Sequence, residues 1–463
     1  MSASETRTLT VGEDGEGRDP ERGPCLFLAM ESHRPLAPPA RIGLAGLDEV
    51  VVGRGASRSY EREPRGGRLT VRTEDPWLST SHARFVKVLG RWSIDDLKSK
   101  NGSRLNGEPV TRAALEDGDL LELGRTFFIF RADVEVFPDD PPILEASRAR
   151  APAPGLLTLL PSLGRAHAML ETIARAEVPV LLEGETGTGK EVTARAIHAL
   201  SGRRGECVAI NCGALPEALV EGELFGHRRG AFSDAKEDRP GLVRAADRGT
   251  LFLDEIGELR PPAQAALLRV LEEREVRPIG ATAPVRVDVR FVAATNRGLE
   301  RMVENGGFRA DLFHRLAGHR HELLPLRMRR EDLGLVAGAL IERHGGANAA
   351  RVTLNPKAAR ALFEHGWPGN VRELEKALGS AIVLAGGGEV KLEHLPDKAR
   401  RAGEGEGEES GPEGDGGKRE EIVALLREHK GNVSAVARAL GKARMQVQRW
   451  MKRFAIDPEQ FRK

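Results

Sequence analysis

Cysteine is scarce in this chain of 463 residues, which has only Cys25, Cys207 and Cys212. So sparse and odd a set builds neither a disulfide framework nor a zinc quartet. No apolar run approaches the ~18 residues of a membrane span, and no membrane partner is expected. The N-terminus, MSASETRTLTVGEDGEGRDPERG, lacks the basic-then-apolar layout of a secretory signal. Excess charge of one sign is missing too, with 70 Lys and Arg against 69 Asp and Glu. With 40% hydrophobic residues, that balance excludes a wholly disordered chain. At roughly 150 residues per domain, the length suggests about three domains. A multidomain, globular, cytoplasmic protein is expected.

Two changes of composition mark joints. Residues 136–158 (VFPDDPPILEASRARAPAPGLLT) are rich in Pro and Ala and read as a semi-rigid linker. Residues 401–417 (RAGEGEGEESGPEGDGG) hold six acids, one arginine and seven glycines, and read as an acidic flexible tether. Beyond a disordered tail at 1–23, three blocks remain: 24–135, 159–400 and 418–463. The first has short apolar runs such as Val50-Val51-Val52 and Phe127-Phe128-Ile129-Phe130, separated by turn residues. Its Asn101-Gly102 and Asn106-Gly107 dipeptides suit hairpins, and a small β-sandwich is predicted. The middle block alternates buried-strand runs with helical patterns, a doubly wound α/β arrangement. The last block carries three apolar stripes at helical spacing: Ile422/Leu425/Leu426, Val433/Val436/Ala437/Leu440 and Val447/Trp450/Met451/Phe454.

Gly184-Glu185-Thr186-Gly187-Thr188-Gly189-Lys190 follows a strand and opens a helix, the context a phosphate loop requires. Its glycines let backbone N–H groups converge on phosphate oxygens, the helix N-terminus adds a favourable field, and Lys190 reaches the β- and γ-phosphates. Glu191 occupies the place where Ser or Thr usually contacts Mg²⁺, so the metal leans on water and other carboxylates. The run Leu251-Phe252-Leu253 ends in Asp254-Glu255, suited to Mg²⁺ positioning by Asp254 and water activation by Glu255. At the next strand's end, Asn296 can orient the attacking water or sense the γ-phosphate. Bound ATP and Mg²⁺ are the expectation.

Gly184–Lys190, Glu223-Leu-Phe-Gly-His-Arg-Arg-Gly-Ala-Phe-Ser-Asp-Ala235, Asp254-Glu255, Asn296, Phe308-Arg-Ala-Asp-Leu312 and Trp367-Pro-Gly-Asn-Val-Arg-Glu373 occur in this order. Over about 240 residues the set resembles the AAA+ domain of sigma-54-dependent transcriptional activators, the bacterial enhancer-binding proteins. The resemblance implies self-association into a ring, usually a hexamer, whose ATPase remodels the closed promoter complex of sigma-54 RNA polymerase. It also implies that Arg309 and Arg315 reach the neighbouring subunit's ATP, and that Arg372 senses the γ-phosphate from a helical subdomain. Asn211 resembles the switch asparagine that restrains Glu255. The tip that would contact the sigma factor is Gly230-Ala231-Phe232-Ser233-Asp234-Ala235, where the family usually has Gly-Ala-Phe-Thr-Gly-Ala. Phe232 is kept, and Asp234 replaces a glycine.

The first block carries Val51-Val-Gly-Arg54, Ser79-Thr-Ser-His82, Ser99-Lys100-Asn101-Gly-Ser and Asn106-Gly in order. It resembles a forkhead-associated (FHA) domain, which binds phosphothreonine peptides through loops at one end of a β-sandwich. Arg54 and Ser79 would supply charge-assisted donors to the phosphate, Lys100 added charge, and Asn101 a bond to the peptide backbone. Thr80 stands where a basic residue often helps hold phosphate, and Lys100 where threonine is frequent. His82 reads as a buried brace rather than a catalyst.

Residues 418–463 hold twelve Lys and Arg against five Asp and Glu, a local excess of seven positive charges. That is an electrostatic footprint for a phosphate backbone. The segment resembles the Fis-type helix-turn-helix that ends many sigma-54 activators. Arg444, Gln446, Gln448 and Arg449 would approach base edges of enhancer DNA while Lys452 and Arg453 hold phosphates. The whole reads as an FHA β-sandwich, an α/β AAA+ P-loop domain with a helical subdomain, and an all-α three-helix helix-turn-helix. The expected function is ATP-driven activation of sigma-54 promoters under phosphothreonine control. Two alternatives stay open: a DNA-binding AAA+ regulator acting on another target, and a non-catalytic DNA- and phosphopeptide-binding repressor.

Overall fold

A computed structural model describes residues 20–63, 66–214, 217–231, 237–404, 415–440, 447–448, 450–451, 454 and 456–461. Thirteen strands form the N-terminal unit: β1 Glu21–Glu31, β2 Ala40–Gly43, β3 Glu49–Arg54, β4 Ser59–Arg62, β5 Arg68–Thr73, β6 Ala83–Val88, β7 Arg91–Asp96, β8 Ser103–Leu105, β9 Glu108–Val110, β10 Arg112–Ala114, β11 Asp119–Leu123, β12 Thr126–Val136 and β13 Ile143–Glu145. They make two packed sheets, ordered β13-β2-β1-β12-β11-β8-β9 and β10-β7-β6-β3-β5-β4. Leu26, Leu28, Val50, Val52, Val71, Phe85, Trp92, Leu121 and Phe128 fill the space between them. Asn106 and Gly107, both at positive φ, turn the β8–β9 hairpin as their dipeptide predicts. At Asn101-Gly102 only the glycine has positive φ, and the pair leads into β8 without a two-residue hairpin.

The linker expected at 136–158 is partly structure. β12 runs to Val136, β13 adds an edge strand to β2, and Ala153 and Leu156 are buried beside Ala196. Pro and Ala content hid this, because an edge strand needs only one row of partners.

The central unit begins with α1 (Pro161–Arg175) and β14 (Val180–Glu183), then α2 (Lys190–Ser201), β15 (Cys207–Asn211), α3 (Glu217–Phe225), α4 (Leu242–Ala245) and β16 (Thr250–Asp254). It continues through α5 (Pro261–Glu273), the short ribbon β17 (Glu275–Val276) and β18 (Val285–Arg286), β19 (Arg290–Thr295), α6 (Leu299–Glu304), α7 (Ala310–Leu316) and β20 (His319–Glu322). A parallel sheet of order β15-β16-β19-β14-β20 results; its inner strands β14, β16 and β19 are largely apolar, as strands covered on both faces are, while the edge strand β20 is polar. β14 sits where the order reverses, so the loop after it opens at the crevice that α/β sheets use for ligands.

A lid of helices follows: α8 (Leu333–Gly345), α9 (Pro356–Glu364), α10 (Asn370–Leu384) and α11 (Asp397–Glu404), with β21 (Thr353–Leu354) and β22 (Glu389–Val390) paired between them. Helix α11 continues to Glu404 and α12 (Asp415–Glu428) starts at Asp415, so both ends of the expected acidic tether are helical. Helix α13 (Val433–Ala439) is capped by Asn432, whose Oδ1 accepts from Ala435 N at 3.1 Å. Ile422, Leu426, Val433, Val436, Ala437, Val447, Trp450 and Met451 meet in one small core, so the three predicted stripes face one another. Among the described residues no helix is long and apolar enough to cross a membrane.

Candidate nucleotide site and phosphopeptide loops

The loop after β14 is shaped by its glycines. Gly187 has a φ of 80°, and a Cβ there would lie 2.3 Å from Gly369 O of the lid, so only glycine fits. Lys190 opens α2, is 7% exposed, and donates from Nζ to Gly184 O at 2.9 Å. Its Nζ lies 4.0 Å from a Glu255 carboxylate oxygen. Burial lowers the Lys190 ammonium from its usual range, while Glu255 and Asp254 oppose that shift. Glu255 is held at a φ of 51°, a sparsely populated conformation for a non-glycine residue and one that gathers at functional sites. Asn296 N donates to Glu255 Oε2 at 3.4 Å and its Nδ2 to Thr186 Oγ1 at 3.2 Å. Phosphate loop, acidic strand end and Asn296 therefore converge.

Two lid residues that sequence reasoning missed complete this cluster. Arg327 forks onto both carboxylate oxygens of Glu185, with one bond at 2.7 Å, and Asn370 Nδ2 adds a bond at 3.1 Å. Hydrogen bonding from Arg327 holds the Glu185 carboxyl below its usual range. Asn370 lay inside the Trp-Pro-Gly-Asn-Val-Arg-Glu motif, whereas Arg327 was one of several arginines in Leu-Arg-Met-Arg-Arg. Arg372, in the first turn of α10, lies beside Gly187 of the loop, its Cβ 3.0 Å from where a Cβ on that glycine would stand.

Other expected residues lie elsewhere. Glu191 turns outward into an i,i+4 pair with Arg195 at 2.8 Å and makes no described bond to the loop. Asn211 ends β15 beside Asp254, but its Oδ1 accepts from Gly213 N at 2.9 Å and it makes no described bond to Glu255. Arg309 pairs with Asp311, and Arg315 lines a cavity of about 320 Å³ with Arg203, Arg274 and Arg290, near the end of β19 remote from Thr295. Neither arginine touches its own phosphate loop in a described contact. Gly230 and Ala231 leave a stem pinned by the His227–Arg239 bridge, while Phe232, Ser233, Asp234 and Ala235 lie outside the described residues. So do Arg444, Gln446, Arg449, Lys452 and Arg453, and Gln448 is half-buried. Cys212 is buried, and burial pushes its thiol up to about 12, which makes it a packing residue.

Among the described residues no three metal-ligating side chains cluster. Asp254 at the strand end beside Lys190 nonetheless fits Mg²⁺, which keeps several waters and takes one or two carboxylates together with substrate phosphates.

Three loops meet at one end of the sandwich. Arg54 N donates to Ser79 O at 2.9 Å, and Lys100 N to Ser79 Oγ at 3.1 Å. Accepting that bond leaves the Ser79 O–H free to donate to a phosphate. A Cβ on Gly53 would lie 2.0 Å from Thr80 O, which makes the close approach of these loops dependent on glycine. His82 is fully buried; its Nδ1 accepts from Ser79 N at 3.1 Å, which leaves Nε2 to donate to Gly102 O at 3.2 Å. Burial lowers its pKa, so it is a neutral brace, as expected. Asn101 Nδ2 donates to Trp77 O at 2.7 Å. Arg72 Nη1 reaches Arg54 O and Thr80 O at 3.3 Å, putting a guanidinium beside the position where Thr80 lacks one. Strand pairing brought Arg72 there from β5, with no local motif to announce it.

Fold and site together define a P-loop protein of the AAA+ ATPase class, joined to an FHA sandwich. Residues 157–321 match the Sigma-54 interaction domain, 327–412 the AAA+ ATPase lid domain and 50–124 the FHA domain. In this chain an FHA domain thus precedes a Sigma-54 interaction domain and its AAA+ lid. It is 42% identical over 297 residues to the regulatory protein AtoC of Escherichia coli (strain K12), covering 62% of this chain and 64% of that protein. It is 48% identical over 244 residues to the anaerobic nitric oxide reductase transcription regulator NorR of Salmonella dublin, covering 51% and 48%. The chain thus spans less than two thirds of the length of these curated relatives. A crystal structure of NtrX from Brucella abortus with ADP is 28% identical at a TM-score of 0.49, covering 64% of this chain and 68% of that one.

Proposed function

We propose that the protein is an ATP-dependent transcriptional activator that remodels sigma-54 RNA polymerase under phosphothreonine control. The observation that carries this is the convergence of Lys190, Glu255 and Asn296 within a Sigma-54 interaction domain. Backbone N–H groups and Lys190 bind the phosphates, Asp254 takes Mg²⁺, and Glu255 accepts a proton from the attacking water. Arg309 and Arg315, which make no described contact with their own loop, act on a neighbour's nucleotide in a ring. The C-terminal three-helix unit holds enhancer DNA, and a phosphothreonine peptide docks on Arg54, Arg72, Ser79, Lys100 and Asn101.

Open-complex formation on a supercoiled template with sigma-54 holoenzyme, this protein and ATP tests the proposal. Opening that needs hydrolysable ATP is the expected result. ATP hydrolysis without opening would favour the second reading, an AAA+ regulator with another target, which the Ser233-Asp234 variant of the tip favours.

A further inference from the structure

In an ordinary sandwich each sheet turns one face to the other sheet and one to water. Strand β1 here is buried on both. Leu26 and Leu28 enter the sandwich, while Cys25, Phe27 and Ala29 face the other way, into a core shared with Leu333, Ala337 and Phe363 of the lid. Phe127 stacks on Phe363 with ring centroids 5.6 Å apart. Gly334 in α8 runs so close to β1 that a Cβ would lie 1.8 Å from Ala29 O. Around this core Arg360 forks onto Glu122, Arg131 pairs with Glu331, and Arg330 Nη1 donates to Gly118 O at 3.3 Å.

The lid stretch gripping the sandwich also grips the phosphate loop. Arg327 holds Glu185 and Arg329 Nη2 reaches Thr188 O at 3.2 Å, while Arg330 and Glu331 face the sandwich. A second bridge starts at the phosphopeptide loops. Asn101 bonds Trp77 O, the Arg125 guanidinium lies 3.9 Å from the Trp77 ring centroid, and Arg125 pairs with Glu389 at 3.3 Å. Glu389 follows α10, whose first turn carries Asn370 and Arg372.

We infer that the FHA sandwich is an integral part of the ATPase lid, and that peptide and nucleotide occupancy are coupled through the Trp77–Arg125–Glu389 bridge. This rests on the proposed phosphothreonine reading of the Arg54 face. Linkage requires reciprocity: nucleotide changes peptide affinity by the factor with which peptide changes nucleotide affinity. A factor of about 5 or more is the ordinary size of such coupling.

The test uses the full chain, a degenerate peptide pool with one fixed phosphothreonine, its unphosphorylated counterpart, and Mg·ADP. Peptide affinity is expected to differ about 5-fold or more with and without Mg·ADP, matched by the reciprocal nucleotide titration. Glu389→Gln should bring both factors to one and leave each separate affinity unchanged. Equal peptide affinity with and without Mg·ADP, or coupling that survives Glu389→Gln, overturns the inference. Absence of phosphate-dependent binding would defeat the phosphothreonine reading instead. Hydrogen exchange then decides the interlock: Mg·ADP is expected to slow exchange in β1, β11 and β12 as well as in the phosphate loop, and unchanged exchange in those strands overturns it.

Discussion

Replacing Arg360 by methionine removes the cation that faces Glu122 across the sandwich–lid contact. Glu122 is 4% exposed, and Arg360 donates to both its oxygens through Nε and Nη2, the latter at 2.7 Å. Those bonds hold the guanidinium pKa above its usual value. The variant would leave a buried carboxylate without its cation, at a cost of about 3–5 kcal/mol. For a unit of 150–250 residues that is a fall in Tm of roughly 6–20 °C. Glu122→Leu alone strands the cation and should cost a similar amount, less whatever Arg360 recovers from water at its partly exposed edge. The Glu122→Leu/Arg360→Met double variant replaces both charges with apolar groups and should return to within about 1 kcal/mol of the parent. Urea unfolding followed by tryptophan fluorescence reports on both sides, because Trp92 lies in the sandwich and Trp367 in the lid. A Trp450→Phe background removes the C-terminal signal. Single variants costing under about 1 kcal/mol, with no recovery in the double, would place the pair in solvent-screened surroundings and refute the burial argument.

Glu255→Gln should lower steady-state ATP hydrolysis by about 10²–10⁴-fold while nucleotide binding persists, and hydrolysis at parental rates would remove Glu255 from the base role. Arg72→Ala and Arg54→Ala should each weaken phosphothreonine-peptide binding in a titration, while Arg54→Ala in a chain that binds equally well would leave the loops without a phosphate role. Burial between Thr158, Leu159 and the start of α8 raises Asp332 to about 6, from ~3.9 in an unfolded chain. The folded state binds that proton more tightly, so the associated stability is full below about pH 4 and is lost as pH rises through about 6. Between pH 5 and 7 the parent should therefore lose about 1–2 kcal/mol relative to Asp332→Asn in urea unfolding, and a pH-independent difference would contradict this. Arg329 opposes the shift and Glu331 adds to it, so both belong in the control set.

The chemistry of the nucleotide site was legible because it is local. A phosphate loop needs its glycines and lysine within a few residues of one strand end, and Asp254-Glu255 needs only to end a neighbouring strand of the same sheet. The paired Asn106-Gly107 turn and the braced His82 were legible for the same reason. Asn211 accepts from Gly213 N and Glu191 pairs with Arg195, and neither contact was legible, because a side chain's direction depends on neighbours that motif spacing does not encode. Arg72 and Arg327 left no usable signal, since each reaches its partner across a sheet or a domain contact.

One sign of the sandwich–lid contact was present from the start. Cys25-Leu-Phe-Leu-Ala-Met30 and Phe127-Phe-Ile-Phe130 are unbroken apolar runs, and a sandwich strand with one wet face alternates instead. Sequence therefore determined that both faces of these strands are dry, because hydrophobicity belongs to each residue. Which surface covers the second face was decided only by the tertiary structure. That surface is assembled from α8 and α9, roughly two hundred residues beyond β12 and three hundred beyond β1, and complementarity between distant elements exists only once both have folded.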